Sequence, residues 1–528
     1  MVVKGTVKPG AYFDSVTLMQ AARELSGRPG VSDAAVVMAT AENKAILKSS
    51  GMLLPEFDAA GDADLLIAIQ AADEKAAALA LAEAESLLRG SRKRAGQDAA
   101  FSPKSLESAL QVLPDANLAV ISVAGRYAGD VAMDALQKGL HVMLFSDNIP
   151  LETEIELKRF AQGRGLLVMG PDCGTAIING VPLAFANAVS RGEIGIVAAA
   201  GTGLQEVSSI ISNEGAGVSQ AIGTGGRDVK KEVGGIMFLE GLRALAEDHS
   251  TKAIVLISKP PHESVIQKLG AAVKALRKPV VAMFLGADVD AVAACGMTAA
   301  GTLEEAALLA VALVQGGSAD ATRQKLRSHD AELDRGAAQE AGRFAQGQKY
   351  LRGLFSGGTF CGEAQVIFRG LLDEVYSNAP LAPSRTLADA WKSQGHTVVD
   401  LGEDAFTVGR PHPMIDFSLR NRRIQDEAKD PETAVILLDV VLGYGSNLDP
   451  AGELAPAIQA ARQTAAAGGR HLAFVCSVTG TEKDPQVRSK VEAALRAAGA
   501  IVLPTNAAAA RFAGRIVKEL AEKAGLRR

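Results

Sequence analysis

The sequence contains few aromatic residues, few cysteines and no long apolar run. Aromatic residues make up 4% of the 528 residues, which disfavours a platform that stacks nucleic-acid bases. The four cysteines form no CxxC pair, so we expect neither a disulfide framework nor a zinc site. No stretch approaches the roughly 20 consecutive apolar residues that cross a bilayer, and residues 1–10 hold no secretory signal. We therefore expect a cytoplasmic protein with reduced thiols and no membrane partner.

An excess of basic charge is also missing. The 55 lysines and arginines stand against 60 acidic residues, for a formal net charge of -5. No basic stripe stands out, so a nucleic-acid partner is not expected. Hydrophobic residues make up 48% of the chain, enough for a large core, and a chain of this length predicts about three to four domains.

Strand-like and helix-like segments predict an α/β protein with four domains and a connector. Residues 1–92 carry strand-like runs at 10–13, 34–38 and 65–69 with helical runs beside them, which indicates a small N-terminal α+β domain. Farther along, continuous apolar strands alternate with helices, a pattern typical of parallel sheets covered by helices on both faces. The predicted units are a Rossmann-like domain at 98–190, flavodoxin-like domains at 191–317 and 349–528, and a helical connector at 318–348.

The clearest candidate ligand site is a glycine-rich strand end. An apolar strand at residues 194–198 runs into Gly201, Thr202 and Gly203 and then into an amphipathic helix. Small residues let backbone N–H groups face a ligand, and the helix dipole adds partial positive charge there. The alternative is a tight strand–helix turn that binds nothing.

The same glycine-rich pattern recurs in the second flavodoxin-like domain, at Gly357, Gly358 and Thr359. Helices that start in corresponding places of two related domains can face each other. We therefore expect the two helix starts to enclose one phosphate.

Other polar residues follow predicted strands in turn-rich segments. Glycine clusters often only make turns, so each segment alone is a weak signal. Cys173 has no basic residue near it in sequence, and we expect a buried structural thiol. The candidate substrate-binding residues at these strand ends are Asp172, Thr175, Gly225, Gly226, Arg227, Gly445 and Asn447.

Two prolines bracket a histidine in the segment Arg410-Pro411-His412-Pro413. They hold the backbone extended. Arg410 can grip a carboxylate through two parallel hydrogen bonds, and His412 can donate to a developing oxyanion or move a proton. The alternative is a rigid surface loop with a solvated histidine. The remaining histidines have no metal-ligand spacing, so no metal site is predicted.

These segments, in this order, resemble the nucleoside-diphosphate-forming acyl-CoA synthetases, of which succinyl-CoA synthetase is the best-known member. Residues 170–174 are similar to the family's Gly-Pro-Asn-Cys-Pro-Gly, and residues 195–202 resemble its Gly-Ile-Val-Ser-Arg-Ser-Gly-Thr. The resemblance implies a Rossmann-like domain of the CoA-binding type followed by two succinyl-CoA synthetase-type flavodoxin-like domains. It also implies that the two glycine-rich helix starts hold phosphate.

The chain departs from that family in several places. The family's phosphorylated histidine belongs in residues 286–301, which contain no histidine. Lys259 stands near the place of the glutamate that contacts that histidine. The glycine-rich CoA loop is not recognisable, and no ATP-grasp domain is present. We therefore expect that no cofactor is required and that phosphate or carbamoyl phosphate is a substrate. CoA binding is possible but doubtful, because the loop that binds CoA is not recognisable.

This pattern of losses, the fused domain order and residues 410–416 resemble the FdrA family. The resemblance implies a subunit of an oxamate carbamoyltransferase of ureide (allantoin) catabolism, which acts on oxamate or oxalurate with phosphate or carbamoyl phosphate. It assigns Arg410 or Arg227 to the oxamate carboxylate, Lys259 to phosphate and His412 to catalysis.

The same resemblance implies partners, namely small-molecule substrates and other subunits of the pathway, in a homo-oligomer or hetero-oligomer. Two alternative functions stay open. One is an acyl-CoA synthetase-like enzyme that handles CoA thioesters. The other is a non-catalytic scaffold subunit that binds a metabolite.

Overall fold

The computed structural model of the chain describes residues 1–407 and 411–525, except 12, 14, 41, 42, 45, 46, 49, 95–102 and 104. The chain divides into two compact units. The N-terminal unit consists of Met1–Ala116 and Asp404–Asp416, and the large unit of Asn117–Glu403 and Phe417–Arg528. No helix in the described part of the chain is long and apolar enough to cross a membrane.

The N-terminal unit is built around a three-stranded antiparallel sheet of order β1-β3-β2. Its elements are β1 (Val2–Lys8), α1 (Ser15–Ser26), β2 (Val31–Met38), β3 (Leu65–Ala71), α2 (Glu74–Arg94), α3 (Leu106–Val112) and a short helix at Asp404–Thr407. The central strand is apolar except for Gln70, because both of its faces are buried. Leu65 and Ile67 pack in the cluster that contains Leu25 of α1, whereas Leu66 packs in the cluster that contains Phe57.

The first strand lies earlier in the chain than the sequence pattern indicated. We predicted a strand at residues 10–13, and this prediction is wrong. The strand is β1, which pairs with β3 from Val2 opposite Ala71 to Lys8 opposite Leu65. At Gly10 the chain turns with a φ of 62°. Every residue of β1 is only partly buried, so this edge strand lacks the strong apolar pattern by which a strand is recognised.

The large unit begins with a Rossmann-like part. Three parallel strands form its sheet in the order β4-β5-β6. Its elements are β4 (Leu118–Ile121), α4 (Gly125–Gln137), β5 (His141–Leu144), α5 (Leu151–Gln162) and β6 (Val168–Met169).

The first flavodoxin-like part has a seven-stranded sheet of order β13-β12-β11-β9-β10-β7-β8. All neighbours pair in parallel except β10 with β7 and β7 with β8. Its elements are β7 (Thr175–Ile178), β8 (Val181–Ala184), β9 (Arg191–Ala199), α6 (Gly201–Asn213), β10 (Val218–Gly223), α7 (Ile236–Glu247), β11 (Ala253–Ser258), α8 (Glu263–Lys274), β12 (Val280–Phe284), α9 (Val289–Ala294), β13 (Thr298–Ala299) and α10 (Leu303–Val314).

A long helix, α11 (Ala319–Glu340), precedes the second flavodoxin-like part. This part has six parallel strands in the order β15-β16-β14-β17-β18-β19. Its elements are β14 (Tyr350–Phe355), α12 (Gly358–Phe368), β15 (Val375–Ser377), β16 (His396–Asp400), α13 (Ser418–Lys429), β17 (Thr433–Val441), α14 (Pro450–Ala467), β18 (Ala473–Thr479), α15 (Arg488–Ala497), β19 (Ala500–Leu503) and α16 (Asn506–Lys523).

Both flavodoxin-like sheets reverse their strand order at an equivalent point. The chain passes from β9 to β10 on one side and then crosses to β11 on the other, and it passes from β14 to β16 and then crosses to β17. Ligands of open α/β sheets bind at the carboxyl ends of strands at such a switch point. Helices α6 and α12 begin at these two points. The predicted α/β fold with a Rossmann-like and two flavodoxin-like parts is confirmed.

A buried lysine joins the Rossmann-like part to the first flavodoxin-like part. Lys158 of α5 is fully buried. Its Nζ lies 2.8 Å from Glu154 Oε1, 2.8 Å from Asp228 Oδ1 and 3.0 Å from the Thr224 carbonyl oxygen. Asp228 also accepts hydrogen bonds from two N–H groups at the start of α7. The loop between β10 and α7 is therefore fixed by ion pairs that are closed to water.

Replacing this lysine should destabilise the protein strongly. Lys158→Met should lower the free energy of unfolding by about 3–5 kcal/mol, because it leaves Asp228 buried without a cation and Glu154 with Arg227 alone. Urea denaturation measures the change. The matched control is Lys138→Met, which breaks a solvent-exposed pair with Asp134 and should cost at most about 0.5 kcal/mol. Equal losses in the two variants would contradict a stabilising role of the buried Lys158 ion pairs.

Candidate functional site

The candidate site is formed by the first turns of α6 and α12. Neither helix has a side chain that caps its N-terminus. In α6 the first intrahelical acceptor is used by Leu204, whose N–H donates to the Ala200 carbonyl, and in α12 by Cys361, which donates to Gly357. The preceding N–H groups of each first turn therefore have no acceptor within the helix. They give the site its hydrogen-bond donors.

The structure brings these two helix starts into contact. A Cβ placed on Gly357 would lie 2.8 Å from Thr202 Cγ2 and 2.9 Å from Thr202 Oγ1. A Cβ placed on Gly203 would lie 3.1 Å from Thr359 Cγ2. A side chain at Gly357 would overlap Thr202, and one at Gly203 would be tight against Thr359, so the two glycines let the helices approach this closely. Both positive dipole ends meet here, which favours an anion. Phosphate binding by this site stays a prediction.

Asp400 lies beside the start of α12 and was missed by sequence reasoning. It ends β16, and a Cβ on Gly358 would collide with its Oδ2 atom. Burial raises the pKa of Asp400 to about 7, against the opposing effect of the Gly402 N–H, which donates to Oδ1. An acidic residue at the end of an apolar strand, with glycine two residues later, is the sequence pattern that marks it.

Lys259 follows β11 and reaches the same place. Its side chain is exposed, and its charge acts on Asp400, whose pKa it lowers, and on the buried thiol of Cys361. The lysine therefore supplies positive charge next to the helix starts. Its predicted role in phosphate binding is compatible with this position.

Two buried glutamates occupy equivalent positions on the two helices. Each stands five residues after the first glycine of its helix, in Gly-Thr-Gly-Leu-Gln-Glu206 and Gly-Thr-Phe-Cys-Gly-Glu363. Glu206 accepts hydrogen bonds from Thr479 Oγ1 at 2.5 Å and the Asn506 N–H at 2.9 Å. Glu363 accepts from Asn506 Nδ2 at 2.7 Å and the Leu303 N–H at 2.8 Å. Asn506 thus clamps the two helices together.

The segment that carries Asp172 and Thr175 packs against the start of α6. Thr175 is buried, donates from Oγ1 to the Phe185 carbonyl at 2.8 Å, and lies 3.7 Å from a Cβ placed on Gly201. Asp172 is exposed and has a φ of 56°. Cys173 is buried, and burial raises its pKa to about 12. The cysteine is therefore protonated near neutral pH, in agreement with a structural role.

The glycines of the loop after β10 allow a close approach to this segment. A Cβ on Gly225, which has a φ of 80°, would collide with the Pro171 carbonyl, and one on Gly226 would lie 4.0 Å from the Ala199 carbonyl oxygen. The side chain of Arg227 forms an ion pair and a hydrogen bond with residues of the Rossmann-like part. Its Nε lies 2.8 Å from Glu154 Oε2, and Nη2 donates to the Ile149 carbonyl at 2.9 Å. These contacts hold Arg227 against the Rossmann-like part.

Gly445 and Asn447 belong to a loop of the second flavodoxin-like part that meets the same segment. A Cβ on Gly445 would lie 3.0 Å from the ring of Phe185. Asn447 is buried; its Oδ1 accepts from the Asp449 N–H and its carbonyl accepts from Gln486. These contacts shape the loop. Substrate binding by either residue stays a prediction.

His412 lies in the N-terminal unit. Burial lowers its pKa to about 4, so the ring is neutral near pH 7. Its Nδ1 accepts from the Met414 N–H at 3.2 Å, which leaves the proton on Nε2. Arg410 lies outside the described residues. The catalytic roles of both residues stay predictions.

The chain is similar over nearly its whole length to a protein of Escherichia coli. It is 44% identical to the uncharacterized protein YahF of strain K12 over 506 residues, which cover 96% of this chain and 97% of that protein. The chain belongs to the YahF family. Three protein-family models match parts of it: the AllF heavy metal-associated domain at residues 1–103, the CoA binding domain at 189–286, and CoA-ligase at 354–516.

Part of the chain is also similar to succinate–CoA ligases. It is 30% identical over 150 residues to the ADP-forming succinate–CoA ligase α subunit of Staphylococcus epidermidis, a match that covers 27% of this chain and 48% of that protein. The solved acetyl-coenzyme A synthetase 1 of Ca. Korarchaeum cryptofilum is 14% identical, with a TM-score of 0.31, over 77% of this chain and 84% of that chain. The sequence matches support the succinyl-CoA synthetase-like level of the predicted resemblance.

Two predictions are corrected by these findings. The prediction of a carbamoyltransferase is wrong, because the matching domains are a CoA-ligase and a CoA binding domain and the partial relative is a succinate–CoA ligase subunit. We also predicted that no cofactor is required and that CoA binding is doubtful, because the glycine-rich CoA loop is not recognisable. This prediction is wrong, because the same domains indicate that CoA is used. Loss of a histidine removes a phosphate carrier and has no direct bearing on CoA.

The name of the N-terminal domain implies a heavy metal, but the residues do not fit one. Residues 1–103 contain neither cysteine nor histidine, the side chains that soft metals select. Across the residues that the structure describes, no group of three or more His, Cys, Asp and Glu side chains is placed to hold a metal ion. We therefore derive no chemistry from a metal.

A side chain on Gly357 should close the site. Gly357→Ala should weaken phosphate binding about tenfold or more, since overpacking of a close contact costs roughly 1–3 kcal/mol and the new methyl group pushes against Thr202. Isothermal titration calorimetry with inorganic phosphate measures the affinity. The matched control is Gly342→Ala, where a Cβ meets nothing within 4 Å. Unchanged affinity in Gly357→Ala would argue against phosphate between the helices.

The buried Glu363, which Asn506 joins to Glu206, should make the stability of the folded protein depend on pH. Burial raises the pKa of Glu363 to about 7, so its protonated form is favoured by folding, and stability falls as pH rises from about 4.5 to 7. Glu363→Gln should therefore raise the unfolding midpoint at pH 8 more than at pH 4. Asn506 Oδ1 has no hydrogen-bond partner in the described part of the chain. The Asn506 side chain can therefore rotate so that Oδ1 accepts a hydrogen bond from the amide that replaces the Glu363 carboxyl group. Thermal melts of Glu363→Gln and of the exposed-site control Glu156→Gln test this; equal pH profiles would contradict it.

Proposed function

We propose that the chain exchanges an acyl group between CoA and phosphate. It converts a small acyl-CoA thioester and phosphate to an acyl phosphate and free CoA, or catalyses the reverse. The observation that supports this most strongly is the contact between the two uncapped helix starts. Gly201, Thr202 and Gly203 fall within the range of the CoA binding match, and Gly357, Gly358 and Thr359 within that of CoA-ligase.

The donors at this site suit phosphate oxygens and developing negative charge. The uncapped N–H groups of α6 and α12 and the exposed Lys259 provide positive charge from both flavodoxin-like parts. The same N–H groups stabilise the oxyanion that forms when a thioester carbonyl is attacked. Bound CoA supplies the thioester, and the part of the chain that contains α6 lies in the CoA binding match.

The nucleophile in this proposal is phosphate itself. Residues 286–301, where the acyl-CoA synthetases carry a phosphorylated histidine, contain none. A direct attack needs no carrier; it needs phosphate held next to the carbonyl in the correct orientation. The acyl group is selected by residues beyond the helix starts, whereas the net direction follows from the concentrations of reactants and products.

The test is a thiol-release assay with the purified chain. Acetyl-CoA, propionyl-CoA and succinyl-CoA are each incubated with and without phosphate, free CoA is followed with a thiol reagent, and acyl phosphate is trapped as the hydroxamate. We expect thiol release that requires phosphate and falls about 100-fold in Gly357→Ala, an effect typical of losing transition-state donors, but not in Gly342→Ala. Binding of CoA without phosphate-dependent turnover of any thioester would overturn the proposal and favour a non-catalytic CoA-binding subunit.

A further inference from the structure

One carboxyl group beside the first turn of α12 has an oxygen that accepts no hydrogen bond from the described residues. Asp400 is 3% exposed. Its Oδ1 accepts from the Gly402 N–H at 2.9 Å, whereas Oδ2 has no hydrogen-bond partner within the described part of the chain. This oxygen lies so close to Gly358 that a Cβ there would collide with it. Oδ2, which has no hydrogen-bond partner among the described residues, therefore faces the first turn of α12 from a side chain that is itself buried.

The neighbouring buried acid shows what a purely structural carboxylate looks like here. Asp439 accepts from the Ser356 N–H, the Ser356 hydroxyl and the Gly357 N–H at 2.8–2.9 Å, and it pairs with Arg420. All of its acceptor capacity is occupied by groups that fix the turn before α12. Asp400 stands at the end of the adjacent part of the sheet and makes none of these contacts. The two acids therefore have different tasks.

We propose that Asp400 is the proton-carrying catalytic residue of this site. This inference rests on the proposed acyl exchange. As an oxygen of hydrogen phosphate attacks the thioester carbonyl carbon, the new C–O bond forms and the C–S bond breaks, with its electron pair leaving on the CoA sulfur. Asp400, which is protonated in the phosphate complex, gives its proton to the thiolate and is reprotonated by the hydrogen phosphate group. The products are acyl phosphate and CoA thiol, and Asp400 ends in its starting state.

The charges around Asp400 suit this task. Burial raises its pKa to about 7, Glu403 and Asp439 raise it further, and the Gly402 N–H and Lys259 lower it. A group that exchanges a proton works best when its pKa lies near the working pH. The protonated form also removes a negative charge from the place where phosphate binds. Phosphate binding should therefore be accompanied by proton uptake at Asp400.

The test measures proton uptake and turnover in Asp400→Asn. Calorimetric titration with inorganic phosphate at pH 7.5, in two buffers of different ionisation enthalpy, gives the number of protons taken up; the titration of phosphate itself is common to both proteins. We expect wild type to take up more protons than Asp400→Asn. Phosphate affinity should change less than about threefold, while phosphate-dependent thiol release should fall by about 100-fold to 10,000-fold, the range for loss of a general acid–base.

A second variant keeps the inference testable if Asp400→Asn folds poorly. Glu403→Gln removes an exposed charge that raises the pKa of Asp400. It should keep wild-type maximal turnover and shift the pH profile of thiol release to lower pH. Equal proton uptake and turnover in wild type and Asp400→Asn, or an unmoved profile in Glu403→Gln, would overturn the role of Asp400. Absence of phosphate binding and turnover in wild type would instead overturn the proposed function.

Discussion

The architecture of the large unit depends on the contact between the first turns of α6 and α12. Each helix leaves its sheet at the switch point, so the chain topology delivers two positive dipole ends to one place. Like charges repel, and the contact requires both space and compensation. Gly203 and Gly357 give the space, because a Cβ on either would meet the threonine of the other helix. Glu206 and Glu363 hold the helices together through Asn506.

The compensation for that charge is divided between two kinds of carboxylate. The first kind accepts hydrogen bonds from N–H, hydroxyl and amide donors and so fixes the turns and helices in place; it comprises Asp439, Glu206 and Glu363. Among the described residues, Asp400 keeps one oxygen free of such bonds, and in the proposed reaction it is the group next to the bound phosphate. A dianion and an ionised Asp400 would repel each other at this distance. Ligand binding and protonation of Asp400 are therefore physically coupled.

The fold was largely predictable from the sequence, but the site was predictable only in part. Buried parallel strands appear as continuous apolar runs. Such runs predict strands at 194–198, 218–222, 253–257 and 280–284, almost at the bounds observed for β9 to β12. Strand β14 was missed because its run contains Arg352, which is buried and paired with Glu427 and Asp430. The two helix starts were found from their glycines. Glu206, Glu363 and Asp400 were not, because a carboxylate is distinguished only by partners that lie far away in sequence.

Residues 286–301 lack a histidine, and this loss bears on the phosphate carrier alone. In residues 286–301 it removes the phosphate carrier of the acyl-CoA synthetases, and an inference from that loss should concern the carrier alone. The wrong CoA prediction had a separate basis, the unrecognised glycine-rich CoA loop, whereas the CoA binding and CoA-ligase matches indicate that CoA is used. The donors at the two helix starts are backbone N–H groups, which the loss of a histidine does not remove. Backbone donors persist as long as the helix starts and their glycines persist. A site built in this way can lose its covalent intermediate and keep its substrates, provided that another group, such as Asp400, moves the proton.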